Sequence, residues 1–214
     1  MSAYLEPGRF VDSAHSGIIK FSGANSSGKT ECERAVSLYY AVRDGIRYNP
    51  FLDFTDPAVF TASAVLGAGQ GFCIGKAALL AACARASGIA ARVGFADVKN
   101  HLTSPRLAET MGSDLFVFHG YTELLLEGRW VKATPAFNLA LCRKFRVKPL
   151  EFDGRSDSIF HPFDEDERRH MEYLRDRGSY ADVPVAEIQQ AFRDAYPRFY
   201  RLGKDAAKET FAPG

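Results

Sequence analysis

The sequence lacks several features that would assign the protein to a class at once. Its 214 residues include only four cysteines, and none of them forms a Cys-x-x-Cys pair. Such spacing indicates neither a zinc site nor a redox motif. Net charge is also nearly absent, at +1 from 27 basic and 26 acidic residues. Balanced charge gives no electrostatic reason to expect nucleic acid or an anionic membrane surface as a partner.

Long apolar runs are missing as well. None reaches the roughly 18–20 residues that a membrane-spanning helix needs, and the N-terminus, MSAYLEPGRF, lacks the basic and apolar order of a signal peptide. We therefore expect a cytoplasmic protein whose cysteines are reduced. A hydrophobic fraction of 46% and a charged fraction of 25% are ordinary for a globular protein.

Local patterns predict a mixed α+β chain. We expect one domain over 1–214, with a core at about 31–150 and a C-terminal extension at 151–214 that packs on it. Residues 1–29 are expected to be irregular. The predicted elements are helices at about 31–45, 73–87 and 184–196, a strand at 91–98, and a β-hairpin at 115–135 that turns at Glu127-Gly128.

The segment GANSSGKT, residues 23–30, fits the phosphate-loop pattern G-x-x-x-x-G-K-[ST] letter for letter. The run before it, GIIKFSG, is a poor central strand, because such strands are near-continuous Val, Ile and Leu. Thr30 and Glu33 also fit a capping box at the start of a helix. We therefore favour a capped helix start with a solvated Lys29, and nucleotide binding is the weaker alternative.

Cys73 is the strongest candidate for a nucleophile. It lies between the glycine-rich turn GAGQGF and the first turn of the predicted buried helix. Free amides and the dipole at a helix N-terminus favour the thiolate, which is the reactive form of cysteine. The alternative for any cysteine is a small buried core residue, and that alternative suits Cys32, Cys83 and Cys142 better.

His119 is the best candidate for a base. A lone strand histidine is more often structural, so the argument depends on its pairing with Cys73. With a two-residue turn in the hairpin, Tyr121 faces Thr134, which makes Thr134 a diagonal neighbour of His119. The same register pairs Glu123 with Lys132 and Leu125 with Trp130, and alternation places Phe116, Phe118, Leu124 and Leu126 on the face opposite His119.

Two segments resemble the cysteine core and the histidine strand of transglutaminase-like proteins: GFCIGKAALLAACARASGIAARVGFADV (71–98) and HGYTELLLEGRWVKATPA (119–136). The first has a Gly-x-Cys start, a long apolar helix and a strand that opens with Ala-Arg-Val. The second has aromatic and acidic residues, a glycine turn and Trp-Val. The resemblance covers about 31–136. It implies a papain-like α+β core, in which Cys73 begins a buried helix and His119 lies on an antiparallel sheet.

One departure from the family pattern concerns the third catalytic residue. The family usually has an aspartate in the segment after Trp-Val, and Thr134 occupies that place here. A hydroxyl can orient an imidazole ring but cannot stabilise imidazolium as a carboxylate does. Asn138 is an alternative orienting residue. Gln70, shortly before Cys73, is a candidate donor to an oxyanion together with the Cys73 amide.

Other polar residues have weaker claims. His101 could line the cleft, although a surface position is the preferred interpretation. A group of acidic residues and histidines also invites a metal site, but its spacing matches no ligand pattern and a solvated acidic loop is favoured. This group comprises Asp153, Asp157, His161, Asp164 and His170.

The resemblance implies a cysteine enzyme in which Cys73 attacks an amide or ester carbonyl and His119 acts first as base and then as acid. The expected substrate is a peptide or protein amide, with hydrolysis slightly favoured over cross-linking, and the chemistry requires no metal or organic cofactor. The missing aspartate suggests a second hypothesis, a catalytically weak or inactive binding module. The physiological substrate and the oligomeric state stay open.

Overall fold

The structure, a computed structural model, describes residues 2–100, 109, 111–159 and 171–202. It combines helices with a four-stranded antiparallel sheet and a short parallel strand pair. The helices are α1 (Ser16–Asn25), α2 (Glu31–Gly45), α3 (Ala62–Ala68), α4 (Cys73–Ala86), α5 (Leu139–Phe145), α6 (Val185–Ala195) and α7 (Pro197–Leu202), with 3₁₀ turns at Ser2–Tyr4 and Pro57–Phe60. The strands are β1 (Arg47–Tyr48), β2 (Gln70–Gly71), β3 (Ala91–Asn100), β4 (Leu115–Leu126), β5 (Arg129–Ala133) and β6 (Met171–Tyr180).

Helix α4 is the buried helix that the sequence predicts. Its residues from Cys73 to Arg85 are all buried, because alanine and leucine leave it without a polar face. It packs against β4 on one side and against α1, α2 and α3 on others. The N-terminus of this helix therefore lies where the helical layer meets the sheet.

Helix α2 begins with the predicted capping box. The amide of Glu33 donates to Thr30 Oγ1 (3.1 Å), and Glu33 Oε2 accepts hydrogen bonds from the amides of Lys29 (2.6 Å) and Thr30 (3.0 Å). These amides are bonded to a carboxylate of the chain itself, so they form no cradle for a phosphate. The Lys29 residue is exposed. The capped helix start is confirmed.

The N-terminal segment differs from the expectation. Residues 16–25, expected to be irregular, form helix α1, so a helix and not a strand precedes the glycine-rich segment. The helix is capped by His15, whose Nδ1 accepts a hydrogen bond from the amide of Gly17 (3.1 Å). Histidine is not one of the preferred cap residues, which explains why the sequence pattern does not mark this helix.

The sheet has the strand order β5-β4-β3-β6, and all neighbouring strands are antiparallel. The predicted hairpin is confirmed: β4 and β5 join through Glu127 and Gly128, whose φ angles of 50° and 78° are typical of a type I′ turn. The predicted pairs Glu123–Lys132 and Leu125–Trp130 are present. Pairing ends at Thr122–Ala133, so Tyr121 and Thr134 lie just beyond the ladder.

A β-bulge interrupts β4 directly before His119. In the pairing with β3, Ala96 faces His119 and Val98 faces Phe116, so Val117 and Phe118 together oppose the single residue Asp97. Phe118 has a left-handed backbone conformation, with φ at 54°. The expectation of uninterrupted alternation from Phe116 onward is therefore wrong at this point, since a bulge adds one residue to one strand.

The C-terminal part of the chain completes the sheet and covers one end of it. Strand β6, which the sequence analysis does not predict, pairs with β3 as an edge strand and is mostly exposed. Helix α6 is confirmed, and Val185, Ile188 and Phe192 bury its apolar stripe. It packs against β4. Helix α6 thus contacts β4, which carries His119, and β6 pairs with β3, which is the neighbour of β4.

Candidate active site

Cys73 is the first residue of α4 and is 8% exposed. The backbone amides of Gly120, Ile74 and Cys73 itself lie within hydrogen-bonding reach of the sulfur and lower its pKa, but burial has the larger effect and raises the pKa of the Cys73 thiol to about 11. The helix N-terminus thus stabilises a thiolate, as the sequence suggests. Burial outweighs it, so Cys73 is a thiol at neutral pH.

His119 lies on β4, between the bulge and Gly120, and is 3% exposed. Strand β4 passes close to the first turn of α4 at this point: a Cβ atom on Gly120 would lie 2.9 Å from the Ile74 Cα atom. Only a glycine permits this approach. The contact brings the histidine strand and the cysteine helix together, and Cys73 and His119 are both among the residues that line one pocket.

The pocket beside Cys73 is predominantly apolar. The space along its wall, counted together with the solvent that it opens to, is about 430 Å³. Two tyrosines, Tyr48 and Tyr196, lie in its wall with Cys73 and His119. Its remaining lining is apolar and includes Pro50, Phe54, Phe72, Phe116, Val117 and Phe192.

Thr134 follows β5 and is 2% exposed. Its amide donates to the carbonyl oxygen of Ser158 (2.9 Å), and its own carbonyl oxygen accepts a hydrogen bond from the Tyr39 hydroxyl (3.2 Å). Within the part of the chain that the structure describes, the Thr134 hydroxyl has no hydrogen-bond partner. The backbone at the position of the family aspartate is therefore well anchored, while its side chain makes no polar contact there.

The two other predicted site residues make contacts of their own. Asn138 is the N-cap of α5, and its Oδ1 accepts a hydrogen bond from the amide of Tyr48 (3.2 Å). It therefore holds the backbone of a residue that lines the pocket. Gln70 Oε1 accepts hydrogen bonds from Arg47 Nη2 (2.5 Å) and Asn49 Nδ2 (3.4 Å). These bonds fix the carbonyl end of the Gln70 side chain, and Gln70 is not among the residues that line the pocket.

Three residues around the bulge were not proposed for the site from sequence. Asp97 Oδ1 accepts a hydrogen bond from the Phe118 amide (3.0 Å) and the Asp97 carboxylate is paired with Arg177, while the Tyr196 hydroxyl accepts one from the Val117 amide (2.6 Å). The one local signal that points here is the acidic Asp97 inside the otherwise mostly apolar strand β3. Arg177 and Tyr196 carry no such signal.

Two aspartates of the predicted acidic loop are bonded to backbone amides. Asp153 Oδ1 accepts hydrogen bonds from the amides of Arg155 (2.8 Å) and Ser156 (2.7 Å), and Asp157 Oδ1 accepts one from the Lys132 amide (2.9 Å). In the described segments no group of three or more His, Cys, Asp or Glu side chains could hold a metal ion. The predictions for His101, His161, Asp164 and His170 concern residues outside those that the structure describes.

Comparisons with known proteins bear on the family and the fold. The chain matches the model of the transglutaminase-like superfamily over residues 21–135, which is more than half of its length. The fold also resembles a solved structure from Cytophaga hutchinsonii named "Putative Cysteine Protease", with a TM-score of 0.51 and 14% sequence identity. That alignment covers 86% of this chain and 47% of the other, so this chain spans about half of its length. A search of the curated proteins found no match.

The α+β fold, in which a buried helix begins at Cys73 and His119 lies on an antiparallel strand, is of the papain-like type. More specifically, the chain belongs to the transglutaminase-like superfamily. Among the helices that the structure describes, none has both the length and the apolar character needed to cross a membrane.

Proposed function

We propose that the protein is a cysteine enzyme that transfers an acyl group through a thioester on Cys73, with His119 as the base. The observation that carries this proposal is the shared pocket, which has both Cys73 and His119 among its lining residues. The Gly120 amide, next to His119, also reaches the Cys73 sulfur. Both residues lie within the family match at 21–135.

The proposed reaction proceeds in two steps. In the first, His119 takes the proton of the Cys73 thiol, the sulfur forms a bond to the carbonyl carbon, and the carbon–nitrogen bond breaks as His119 returns the proton to the leaving amine. In the second, water attacks the thioester carbonyl and loses a proton to His119, the carbon–sulfur bond breaks, and His119 returns that proton to the sulfur, which leaves the acid and the free thiol. An amine in place of water gives transfer. The backbone amide of Cys73 and the side-chain amide of Gln70 are the proposed donors to the oxyanion.

The state of the thiol supports a base that acts during the reaction. Burial raises the pKa of the Cys73 thiol to about 11, so a preformed thiolate is a minor species at neutral pH. A nearby imidazole can remove the proton as the carbon–sulfur bond forms, which avoids the isolated buried charge. The proposal therefore assigns His119 a larger role than that of a counter-ion.

The lining of the pocket supports a substrate class. Phe54, Phe72, Phe116 and Phe192 lie in the wall next to Cys73, and such a surface favours apolar groups of a ligand. We therefore propose a peptide or protein amide whose acyl side carries an aromatic or branched apolar group. Hydrolysis is the favoured outcome of the second step.

Acetylation by p-nitrophenyl acetate tests the proposal without a known substrate. Wild-type protein should release nitrophenolate and gain one acetyl group on Cys73, seen by intact mass and peptide mapping. Cys73→Ser should gain none under the same conditions. His119→Gln should slow acetylation by about 100-fold or more, since general-base catalysis contributes on this scale. If the wild-type protein is acetylated no faster than its unfolded chain, the proposed enzymatic function is refuted.

The second candidate function is a catalytically weak or inactive binding module. Two observations favour it: Thr134 replaces the family aspartate, and burial raises the pKa of the Cys73 thiol to about 11. In that case the apolar pocket binds a peptide side chain and the two reactive residues are unused. Calorimetry with a panel of peptides that differ from one another in one apolar residue should then show binding to both wild type and Cys73→Ser. Neither protein should form an acyl-enzyme.

A further inference from the structure

We infer that the C-terminal segment of the chain positions the histidine of the site: Arg177 and Tyr196, together with Asp97, hold the β-bulge that precedes His119. The inference rests on the proposed role of His119 as the base. It concerns residues beyond the family match at 21–135, because Arg177 lies on β6 and Tyr196 follows α6.

The bulge creates a need for hydrogen-bond partners. Val117 and Phe118 oppose one residue of β3, so the regular ladder between the strands is interrupted there. Both amides are buried, and a buried amide without a partner destabilises a fold. Side chains supply these partners: Val117 donates to the Tyr196 hydroxyl (2.6 Å) and Phe118 donates to Asp97 Oδ1 (3.0 Å).

Asp97 is itself fixed by Arg177. Arg177 Nε donates to both carboxylate oxygens of Asp97 (2.9 and 3.0 Å), and its Nη2 donates to Oδ2 (2.7 Å). The guanidinium also lies over the Phe118 ring, 4.7 Å from its centroid. A planar fork of this kind sets the direction of a carboxylate more narrowly than a single contact does. The carboxylate that receives the Phe118 amide therefore has one orientation.

Tyr196 fixes the other half of the bulge. Besides accepting from the Val117 amide, its hydroxyl donates to the carbonyl oxygen of Leu115 (2.7 Å). Burial raises the pKa of Tyr196, so the hydroxyl keeps the proton that it donates. The Tyr196 side chain is 4% exposed and lies in the wall of the pocket with Cys73 and His119.

These contacts converge on two residues whose backbone sets the direction of His119. Phe118 has a φ of 54°, a conformation that a bulky residue rarely adopts unless its surroundings impose it. The residue that follows is His119, so a relaxed Phe118 would turn the imidazole relative to Cys73. The bulge is held from β3, from β6 and from the end of α6, and two of these elements belong to the C-terminal segment.

Paired measurements on Tyr196→Phe, which removes a single oxygen atom, test the inference. Acetylation by p-nitrophenyl acetate at pH 7.5 depends on the base, whereas alkylation by iodoacetamide at pH 10 uses thiolate that forms without it. Tyr196→Phe loses both hydrogen bonds of the hydroxyl, so it should acetylate at least about tenfold more slowly, and it should alkylate at the wild-type rate. Arg177→Lys, which keeps the charge without the fork, should behave in the same way.

Matched controls come from the same segment. Tyr200→Phe removes a hydroxyl that accepts from Arg193 Nη1 (3.0 Å), and Arg193→Lys changes a guanidinium that donates to Gln190 Oε1. Neither contact involves the bulge, so both variants should match wild type in both assays. ¹H–¹⁵N spectra of each variant should show the folded dispersion of wild type, and the His119 ring signals should shift only in Tyr196→Phe and Arg177→Lys.

The outcomes distinguish a failure of the proposed role of His119 from a failure of the positioning role of Arg177 and Tyr196. Wild-type acetylation that His119→Gln leaves unchanged would refute the proposed role of His119. Acetylation that depends on His119 but is as fast in Tyr196→Phe and Arg177→Lys as in wild type would overturn the positioning role alone. A parallel fall of acetylation and alkylation would also overturn it, since that result indicates a general disturbance of the pocket.

Discussion

The amide of Thr134 donates a hydrogen bond of 2.9 Å to the carbonyl oxygen of Ser158. This contact joins the end of β5 to a segment more than twenty residues later, through a parallel bridge between Ala133 and Ser158. The backbone of Thr134 is therefore fixed by a part of the chain outside the hairpin. Its hydroxyl, by contrast, has no hydrogen-bond partner within the described residues.

This relationship predicts different effects for two substitutions of Thr134. Thr134→Val removes a buried hydroxyl that makes no hydrogen bond, so we expect no loss of stability and an acetylation rate within about twofold of wild type. Thr134→Asp introduces the carboxylate of the family pattern, which stabilises imidazolium. It should accelerate acetylation of Cys73 while it lowers the free energy of unfolding by about 1–3 kcal/mol.

Thr122→Val is the matched control for the valine variant. The Thr122 hydroxyl is buried as well, but it donates to the Ala77 carbonyl oxygen (2.8 Å), so its removal should cost about 1 kcal/mol in chemical denaturation. Acetylation kinetics and urea unfolding of the three variants give the comparison. A Thr134→Val variant as slow as His119→Gln would contradict the prediction, because the hydroxyl would then orient the ring.

The elements that the sequence predicts are those with local signals. The capping box opens α2, the apolar run makes α4, and the Glu127-Gly128 turn sets the register of the hairpin. Each of these features is decided by residues close in the chain. Strand β6 has charged and polar residues along most of its length and forms because it pairs with β3, which lies far away in sequence. No periodicity within β6 reveals that partner.

The same distinction holds at the candidate site. Cys73 and His119 stand out because one begins an apolar helix and the other lies on a patterned strand. The bulge before His119 depends instead on Asp97 with Arg177, 80 residues apart, and on Val117 with Tyr196, 79 residues apart. A positive φ at Phe118 also has no signature in a phenylalanine. Such features require the tertiary structure.

Alkylation of Cys73 should increase with pH well above neutrality. Burial raises the pKa of its thiol to about 11. The folded protein therefore keeps the thiol proton at pH values at which an exposed cysteine has already lost it. The iodoacetamide rate should therefore rise about tenfold per pH unit from pH 8 and level off near pH 11. Peptide mapping with mass spectrometry at each pH measures this rate for every cysteine.

The other three cysteines are the internal comparison. They are buried, free and absent from the pocket lining, so accessibility, rather than acidity, should make Cys73 the first to react. A rate for Cys73 that is already constant between pH 5 and pH 7 would contradict this prediction. It would indicate a preformed thiolate and imidazolium pair.

Lys76 should make the stability of the protein depend on pH. Its ammonium group is fully buried and donates to the carbonyl oxygens of Arg43 (2.8 Å) and Ile46 (2.6 Å), at the end of α2. Burial lowers the pKa of Lys76 to about 7, while the nearby Asp44 carboxylate acts in the opposite direction. Between pH 7 and 10.5 the unfolded chain keeps a proton that the folded chain has released.

The unfolded state therefore binds more protons in this window, and the wild type should gain stability as the pH rises through it. Relative to Lys76→Met, the gain should be on the order of 1 kcal/mol per pH unit. Guanidinium unfolding of both proteins at pH 7, 8, 9 and 10 gives the difference. A constant difference across these values would show that Lys76 stays charged in the folded protein.

Gly120→Ala should separate the histidine strand from the cysteine helix. A Cβ atom at position 120 would lie 2.9 Å from the Ile74 Cα atom and 3.2 Å from the Ile74 nitrogen. Both are backbone atoms in the first turn of α4, so the clash is relieved only if β4 moves away. We expect acetylation of Cys73 to fall by about 100-fold, because small displacements of catalytic groups have effects of this size.

Gly67→Ala is the control, since Gly67 lies in helix α3 with nothing within 4 Å of its added Cβ atom. That variant should keep the wild-type rate and gain about 0.5–1 kcal/mol of stability, as alanine favours the helix. A Gly120→Ala variant with wild-type acetylation kinetics would show that the contact between β4 and Ile74 does not set the distance between His119 and Cys73.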